Sequence, residues 1–471
     1  VTVMSDIDLI ILVSYICGLF AIGMYVGLRE NADDFLVFSR RAPFILVMFS
    51  VVSTWVGAGT TVATASSGYA KGISLGVTAS IGGLIGVITA GLFAPTVKAF
   101  GDSYGAHTIG DFFAIRYSRA SRYLAGSLIV LVYMLLTAGQ LVAMASLLKV
   151  WVDMRLEWLL AAAALSTVVY TAFAGIKSDF YTDGVHFVVM ILVFFGVLTP
   201  AIMNGGGDLS AIKKLPPTFF DPFAYGGVSF FVAGIVFGVG MVFVTMEIWQ
   251  RIYASSSATA ARWALILSGV VIVAFYVLSS LIGMVARALD LPVSNPDLAL
   301  FVAMKQFLPK GLLGLGLAAF LAVIISTVNS LLMVVSATLT KDFYQPLIRP
   351  EASDAQMLRA GRAITFLVGV LAFGFSVLFQ SVVVLTVNSM FILLVLVPAI
   401  MGGFFWRRST SKGCFLSIVT GAAVTFIVTI FRPNEAFVPG FLASLLVFVI
   451  ASKFTAHSPN ENVELLSKRK L

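Results

Sequence analysis

The sequence predicts an all-α polytopic membrane protein of about thirteen transmembrane helices. Hydrophobic residues fill 59% of the 471 positions and charged residues only 11%. Mean hydropathy is +1.02, whereas soluble domains are only about 45–50% apolar. Apolar runs of bilayer-crossing length, about 20 residues, recur from end to end, and the thirty Lys and Arg residues fall between them. The net charge of +8 therefore reads as a topology signal and not as a nucleic-acid surface. Cys17 and Cys414 sit in separate apolar runs and form neither a disulfide framework nor a metal centre.

The expected spans cover approximately 7–28, 43–69, 73–98, 121–148, 156–175, 180–203, 228–250, 260–287, 311–340, 360–380, 382–405, 413–431 and 436–453. An odd number places the termini on opposite sides. With the N-terminus outside, twenty-one Lys and Arg residues fall in inner loops and nine in outer ones, as the positive-inside rule requires. On this count no basic residue lies deep in a span. The first run follows Asp6 and Asp8 and lacks a small-residue cleavage pattern, so it is expected to be a retained helix. Outer loops 204–227 and 288–310 read as caps or gates, and inner loop 99–120 as an amphipathic interfacial segment. The tail after Lys453 is polar and short, with no soluble catalytic domain expected there.

Polar residues within membrane spans are costly and are functional candidates by default. The second span carries Gly57-Ala58-Gly59-Thr60-Thr61 at its middle, after Ser53, Thr54 and Trp55. Glycine costs a helix about 1 kcal/mol relative to alanine, and freed carbonyls in lipid need a cavity or a ligand. Such a stretch fits either a discontinuous transporter helix or close helix packing through small residues. In the ninth span Val323, Ser326, Thr327 and Ser330 share one helix face, with Asn329 beside them. Their hydroxyls suit a hard cation such as sodium, which takes about five or six oxygens near 2.4 Å, by analogy with calcium. Bonding back to their own helix is the alternative. Asp179 and Asp183 lie four residues apart, as an ion path or as acids paired with Lys177. Glu247 reads as an i,i+4 partner of Arg251 or as a group in solute or ion passage.

These stretches, in this order, resemble the sodium:solute symporter family. The similarity runs through Asp33-Asp34-Phe35-Leu36 with Arg40-Arg41, then Ser53-Thr54-Trp55-Val56-Gly57-Ala58-Gly59 and Gly175 with Tyr181-Thr182-Asp183. It continues through Gln250-Arg251 with Ala254-Ser255-Ser256-Ser257, and Ser326-Thr327 with Lys341-Asp342-Phe343-Tyr344. It covers essentially the whole chain. The resemblance implies the leucine-transporter fold: an extra helix and inner loop over 1–42, a first five-helix repeat over 43–203, an outer loop over 204–227 and a second, inverted repeat over 228–405. Two peripheral helices over 406–455 and a cytoplasmic tail over 456–471 would follow. The first helix of each repeat would be broken, at 57–60 and near Gly234–Gly240.

The resemblance also implies a sodium site made by the carbonyls of Ser53, Val56 and Val323 and the hydroxyls of Ser326 and Thr327. Asp183, Asn329 and Ser330, with Ser326, match a second sodium or ion-path position, although Asn329 stands where certain members carry serine. Trp55, Gly59, Thr60, Ser80, Tyr133, Gln140, Thr245 and Asn388 lie on the helices that line the family's cavity. There are departures. His186 replaces the usual glutamine, Trp55 replaces the aspartate of proline-type members, and Thr245 replaces the tryptophan of choline-type members.

The expectation is a sodium-coupled symporter importing a small polar solute (an amino acid, small carboxylate or osmolyte) by alternating access. It would sit in a bacterial inner membrane with its C-terminus cytoplasmic. Sodium and solute are the expected partners besides the bilayer; oligomeric state is left open, a monomer sufficing. A proton-coupled carrier of the same fold and a membrane sensor module are the alternatives. An enzyme is not expected, since the histidines His107, His186 and His457 occupy three different segments.

Overall fold

The computed structural model describes residues 5–149, 154–205, 209–379, 385, 388–431 and 436–457. These are almost entirely helical. Eleven helices are long and apolar enough to cross a membrane. In chain order, with the shorter pieces between them, they are α1 (Asp6–Gly27), α2 (Phe44–Trp55), α3 (Gly59–Lys71), α4 (Ser74–Tyr104), α5 (Ile109–Arg116), α6 (Arg119–Lys149), α7 (Leu156–Phe173) and α8 (Ile176–Asn204). They continue as α9 (Gly227–Val244), α10 (Met246–Ala254), α11 (Ala258–Ala288), α12 (Ala299–Phe307), α13 (Leu313–Leu347) and α14 (Asp354–Leu378). The last three are α15 (Ser389–Phe405), α16 (Ser411–Phe431) and α17 (Phe437–Phe454). The α2–α3 pair, bent by 57°, adds one further span. The expected eleventh span appears as the shorter α15, and most of its first residues, 382–384 and 386–387, lie outside the described ones.

The bundle is built around α13. From Leu313 to Thr338 every residue except Leu315 is buried. This helix is enclosed by its neighbours on all sides, so its apolar residues are spread around it and do not form a single stripe. Both α2 and α8 pack on it and bring their polar faces to its Ser326–Ser330 stretch.

The α2–α3 break lies where the glycines predict it. The α2 ladder ends with Val56 N–H on the Val52 carbonyl at 2.8 Å, and Val56 adopts φ −78°, ψ 73°. Past the bend, threonine hydroxyls take up freed carbonyls: Thr60 donates to Trp55 at 2.8 Å, Thr61 to Gly57 at 2.9 Å and Thr64 to Gly59 at 3.2 Å. A threonine-rich sequence thus keeps the irregular backbone satisfied away from water.

The second break is not at Gly234–Gly240. Helix α9 runs unbroken through those glycines and stops at Thr245 (φ −76°, ψ 106°), from which α10 departs. The glycines serve packing instead. A Cβ on Gly238 would meet the Gly82 carbonyl at 2.3 Å, and one on Gly82 the Gly234 carbonyl at 2.6 Å, so α4 and α9 approach backbone to backbone.

Two further expectations change. Segment 99–120 is not an interfacial surface: α4 continues to Tyr104, and Ile109, Gly110, Asp111, Phe112, Phe113 and Arg116 of α5 are buried. Arg116 donates to the Gly403 and Ser409 carbonyls at 3.1 and 3.0 Å, which anchors α5 beneath α15. Nor are basic residues confined to loops, because Arg251 on α10 is 1% exposed and points into the bundle. The described parts of the loops at 204–227 and 288–310 fold over the α3–α4 corner. Ile73 N–H donates to the Phe219 carbonyl, Ser74 Oγ to the Pro222 carbonyl and Ser66 Oγ to Asp297, at 2.7–2.8 Å.

Candidate cation and solute site

The α2–α3 break faces the hydroxyls of α13. Ser326 Oγ donates to the Ser53 carbonyl at 2.8 Å and lies 3.2 Å from the Val323 carbonyl. Thr327 Oγ1 is 3.0 Å from the Val323 carbonyl and 3.2 Å from that of Thr54. Back-bonding within α13 and bonding across to α2 therefore occur together. Ser53, Val56, Val323 and Ser326 are fully buried. No hydrogen bond reaches the Val56 carbonyl among the described residues. A Cβ on Gly57 would come within 2.7 Å of Thr327 Oγ1, so the close approach of α3 and α13 requires glycine there. The donor set is entirely oxygen, from carbonyls and hydroxyls, which fits a hard monovalent cation travelling as cargo. Thr54 contributes a carbonyl that the sequence reading did not include.

The second position is differently furnished. Asp183 Oδ2 accepts from Ser50 Oγ at 2.6 Å, and its backbone carbonyl accepts from Ser53 Oγ at 2.9 Å. The guanidinium of Arg251 enters the same space. It donates to Thr54 Oγ1 at 2.7 Å, Asp179 Oδ2 at 3.0 Å, Ser50 Oγ at 3.1 Å and Asp183 Oδ2 at 3.4 Å, and it also bonds Ser330 Oγ. Asn329 Oδ1 accepts from Thr171 Oγ1 at 2.6 Å. A fixed cation thus already engages Asp183 and Ser330. Lys177, the expected partner of the two acids, pairs instead with Asp34 at 2.8 Å. His186 is held by Tyr15 Oη at 2.5 Å on Nδ1.

Helix α6 holds both breaks open. Gln140 Oε1 accepts from the Ala58 N–H at 3.1 Å, at the first break. Two turns earlier on the same face, Tyr133 Oη accepts from Met246 N–H at 2.8 Å and donates to Glu247, at the second. Glu247 therefore pairs with Tyr133, and no ion pair with Arg251 is seen among the described residues. That i,i+4 expectation fails because Arg251 turns toward Asp179 and Asp183.

A cavity of about 310 Å³ opens between the two breaks. Trp55, Gly59, Thr60, Gln140 and Thr245 line it, as does Thr327 from the cation site. Ser80 does not; its hydroxyl bonds back to the Gly76 carbonyl at 2.6 Å. Tyr133 is fully buried behind the wall. The side chain of Asn388 lies outside the described residues. Thr78 and Tyr276 line the cavity without having been singled out for it, and Glu247, read from the sequence as an Arg251 partner or as a group in solute or ion passage, lines it too. A signal for Glu247 and Arg251 was available: both stand in Met246–Ala254, directly after an apolar run with no glycine or proline between. From the sequence Arg251 counts as a loop residue and Glu247 as the inner end of the span 228–250, because a break at Thr245 has no composition marker.

A sequence profile described as the sodium:solute symporter family matches residues 35–421. The chain is 27% identical over 485 residues to sodium/proline symporter 2 of Staphylococcus saprophyticus, covering 95% of this chain and 92% of the relative. It is 24% identical over 478 residues to the sodium/pantothenate symporter of Escherichia coli, covering 96% and 97%. Among solved structures, a substrate-bound outward-open sodium-coupled sialic acid symporter superposes with a TM-score of 0.83. That alignment has 17% identity and covers 97% of this chain and 99% of the other. A nucleobase-cation-symport-1 transporter in a closed conformation, at 15% identity, gives 0.61 over 93% and 100%. The shared architecture is the leucine-transporter fold, and with the profile match over most of its length the chain belongs to the sodium:solute symporter family.

Proposed function

We propose that this protein imports a small polar organic solute together with one sodium ion, by alternating access between two inverted repeats at about 43–203 and 228–405. Its N-terminus would lie outside and its C-terminus in the cytoplasm of a bacterial inner membrane. The observation that carries this reading is the pairing of Ser326 and Thr327 hydroxyls with the carbonyls of Ser53, Thr54 and Val323 beside the bent α2–α3 helix. Sodium held there, by those groups and Val56, ties α2 to α13. It steadies the break whose Trp55, Gly59 and Thr60 face the cavity. Solute bound in the cavity steadies the same break in turn, and linkage makes the help mutual.

One sodium, and not two, is favoured because the Arg251 guanidinium already bonds Ser330 and Asp183 at the second position. A permanent charge there gives the acids a partner that does not leave with the cargo.

The test is sodium binding to purified protein, read as a thermal shift without solute. Ser326→Ala and Thr327→Ala should each raise the half-saturating sodium concentration about 10- to 100-fold, as loss of a charge-assisted contact does. Melting without sodium should barely move. Unchanged sodium affinity in both variants overturns the site. Solute uptake that persists when potassium replaces sodium and follows a pH gradient would mean proton coupling instead.

A further inference from the structure

The solute cavity has one charged wall. Among its lining residues Glu247 alone is ionisable at neutral pH, and it is 8% exposed. One carboxylate oxygen accepts from Tyr133 Oη, a neutral donor. The nearest basic side chain on its own helix, Arg251, makes its ion pairs with Asp179 and Asp183 and acts on Glu247 only through space. A buried carboxylate without an ion-pair partner is strongly disfavoured, so a cationic group within the cavity would stabilise Glu247 in its charged form.

Other features point the same way. Thr78 and Thr245, each 2% exposed, line the cavity, and their hydroxyls have no hydrogen-bond partner among the described residues. They are free to meet polar atoms of a ligand. Trp55 and Tyr276 add aromatic faces, which attract cations.

We propose that the transported solute carries a positively charged nitrogen, as an amine, an amino acid or a quaternary ammonium, and that this nitrogen pairs with Glu247 at the second break. The nitrogen sits against Glu247 with an aromatic face beside it, while Thr78, Thr245 and Gln140 take the solute's polar end. Sugars and simple carboxylates lack the group that Glu247 requires. The inference rests on the cavity's being the solute site of a sodium symporter, as proposed above.

The experiment is a thermal-shift and uptake panel on purified wild-type protein in saturating sodium. The probes are choline, glycine betaine, proline, a primary alkylamine, lactate, pantothenate and glucose. Binding should be confined to the first four, and Glu247→Gln should weaken it on the order of 100-fold, with Glu247→Asp intermediate. Tight binding of lactate, pantothenate or glucose, no binding by any of the four probes with a positively charged nitrogen, or affinity unchanged in Glu247→Gln overturns the proposal. The sodium shift of wild-type protein without solute is recorded in parallel. Its loss would overturn the symport reading itself, so the two failures are told apart. If Glu247→Gln does not fold, Thr245→Val and Glu247→Asp carry the same comparison, and unchanged affinity in both overturns the proposal.

Discussion

The two helix breaks solve one problem by different means. Between α2 and α3 the chain bends at Val56–Ala58, and hydroxyls answer the exposed carbonyls: Thr60, Thr61 and Thr64 from the same helix, Ser326 and Thr327 from α13. Between α9 and α10 the chain turns at Thr245 with neither glycine nor proline, and charge gathers there instead, as Glu247 and Arg251. Helix α6 supplies one clamp to each, Gln140 to the first and Tyr133 to the second. The first break offers neutral oxygens, which suits the releasable sodium ion proposed above. The second holds ions that stay. A transporter needs both: a site weak enough to release its cargo, and a rigid neighbour to set the field around it.

The largest effect should come from removing the fixed ion. Arg251→Ala leaves Asp179 and Asp183 buried without a counter-charge, which costs about 3–5 kcal/mol. We expect strongly lowered melting and no transport. Adding Asp183→Asn should restore part of the melting temperature, and no restoration would mean that the pair is not electrostatically coupled. No comparable loss is expected at the first break, where the partners are uncharged.

Glycine substitutions sharpen the contrast further. Gly57→Ala should cost about 1–3 kcal/mol through overpacking and disturb sodium affinity, because its Cβ meets Thr327 Oγ1 at 2.7 Å. Gly238→Ala should destabilise to a similar extent, since its Cβ meets the Gly82 carbonyl at 2.3 Å, yet leave sodium affinity alone. Gly59→Ala has open space within 4 Å and should change solute binding with little effect on melting. Measuring sodium titrations and melting for all three separates the glycine that shapes the site from the one that merely packs.

The last effect lies at the end of α1 and is read through pH. Glu30 accepts from Ser178 N–H at 2.6 Å, and burial pushes its carboxyl from the ordinary 4.5 up to about 8. Its other oxygen has no hydrogen-bond partner among the described residues. The folded chain therefore holds a proton there that the unfolded chain has released. Its contribution to stability is full below about pH 4.5 and is lost as pH rises through about 8. Glu30→Gln should flatten that fall in melting temperature between pH 5 and pH 8. An unchanged pH profile would place the titration elsewhere.

The sequence alone determined the membrane class, nearly every span, the first break and the α13 hydroxyl face. Each rests on a local rule: apolar length, helical spacing, or glycine and threonine where carbonyls must be freed. Tertiary structure decided what spacing along one helix cannot carry. Glycines 234 and 238 look like a weak helix until Gly82 and Gly86 are found against them. Arg251 counts as a loop residue until Asp179, Asp183 and Ser330 converge on it from two other helices. Glu247 pairs with Arg251 by spacing, but with Tyr133 in space. In a membrane interior a buried charge takes the partner that desolvation leaves it, and that partner is set by how the helices pack.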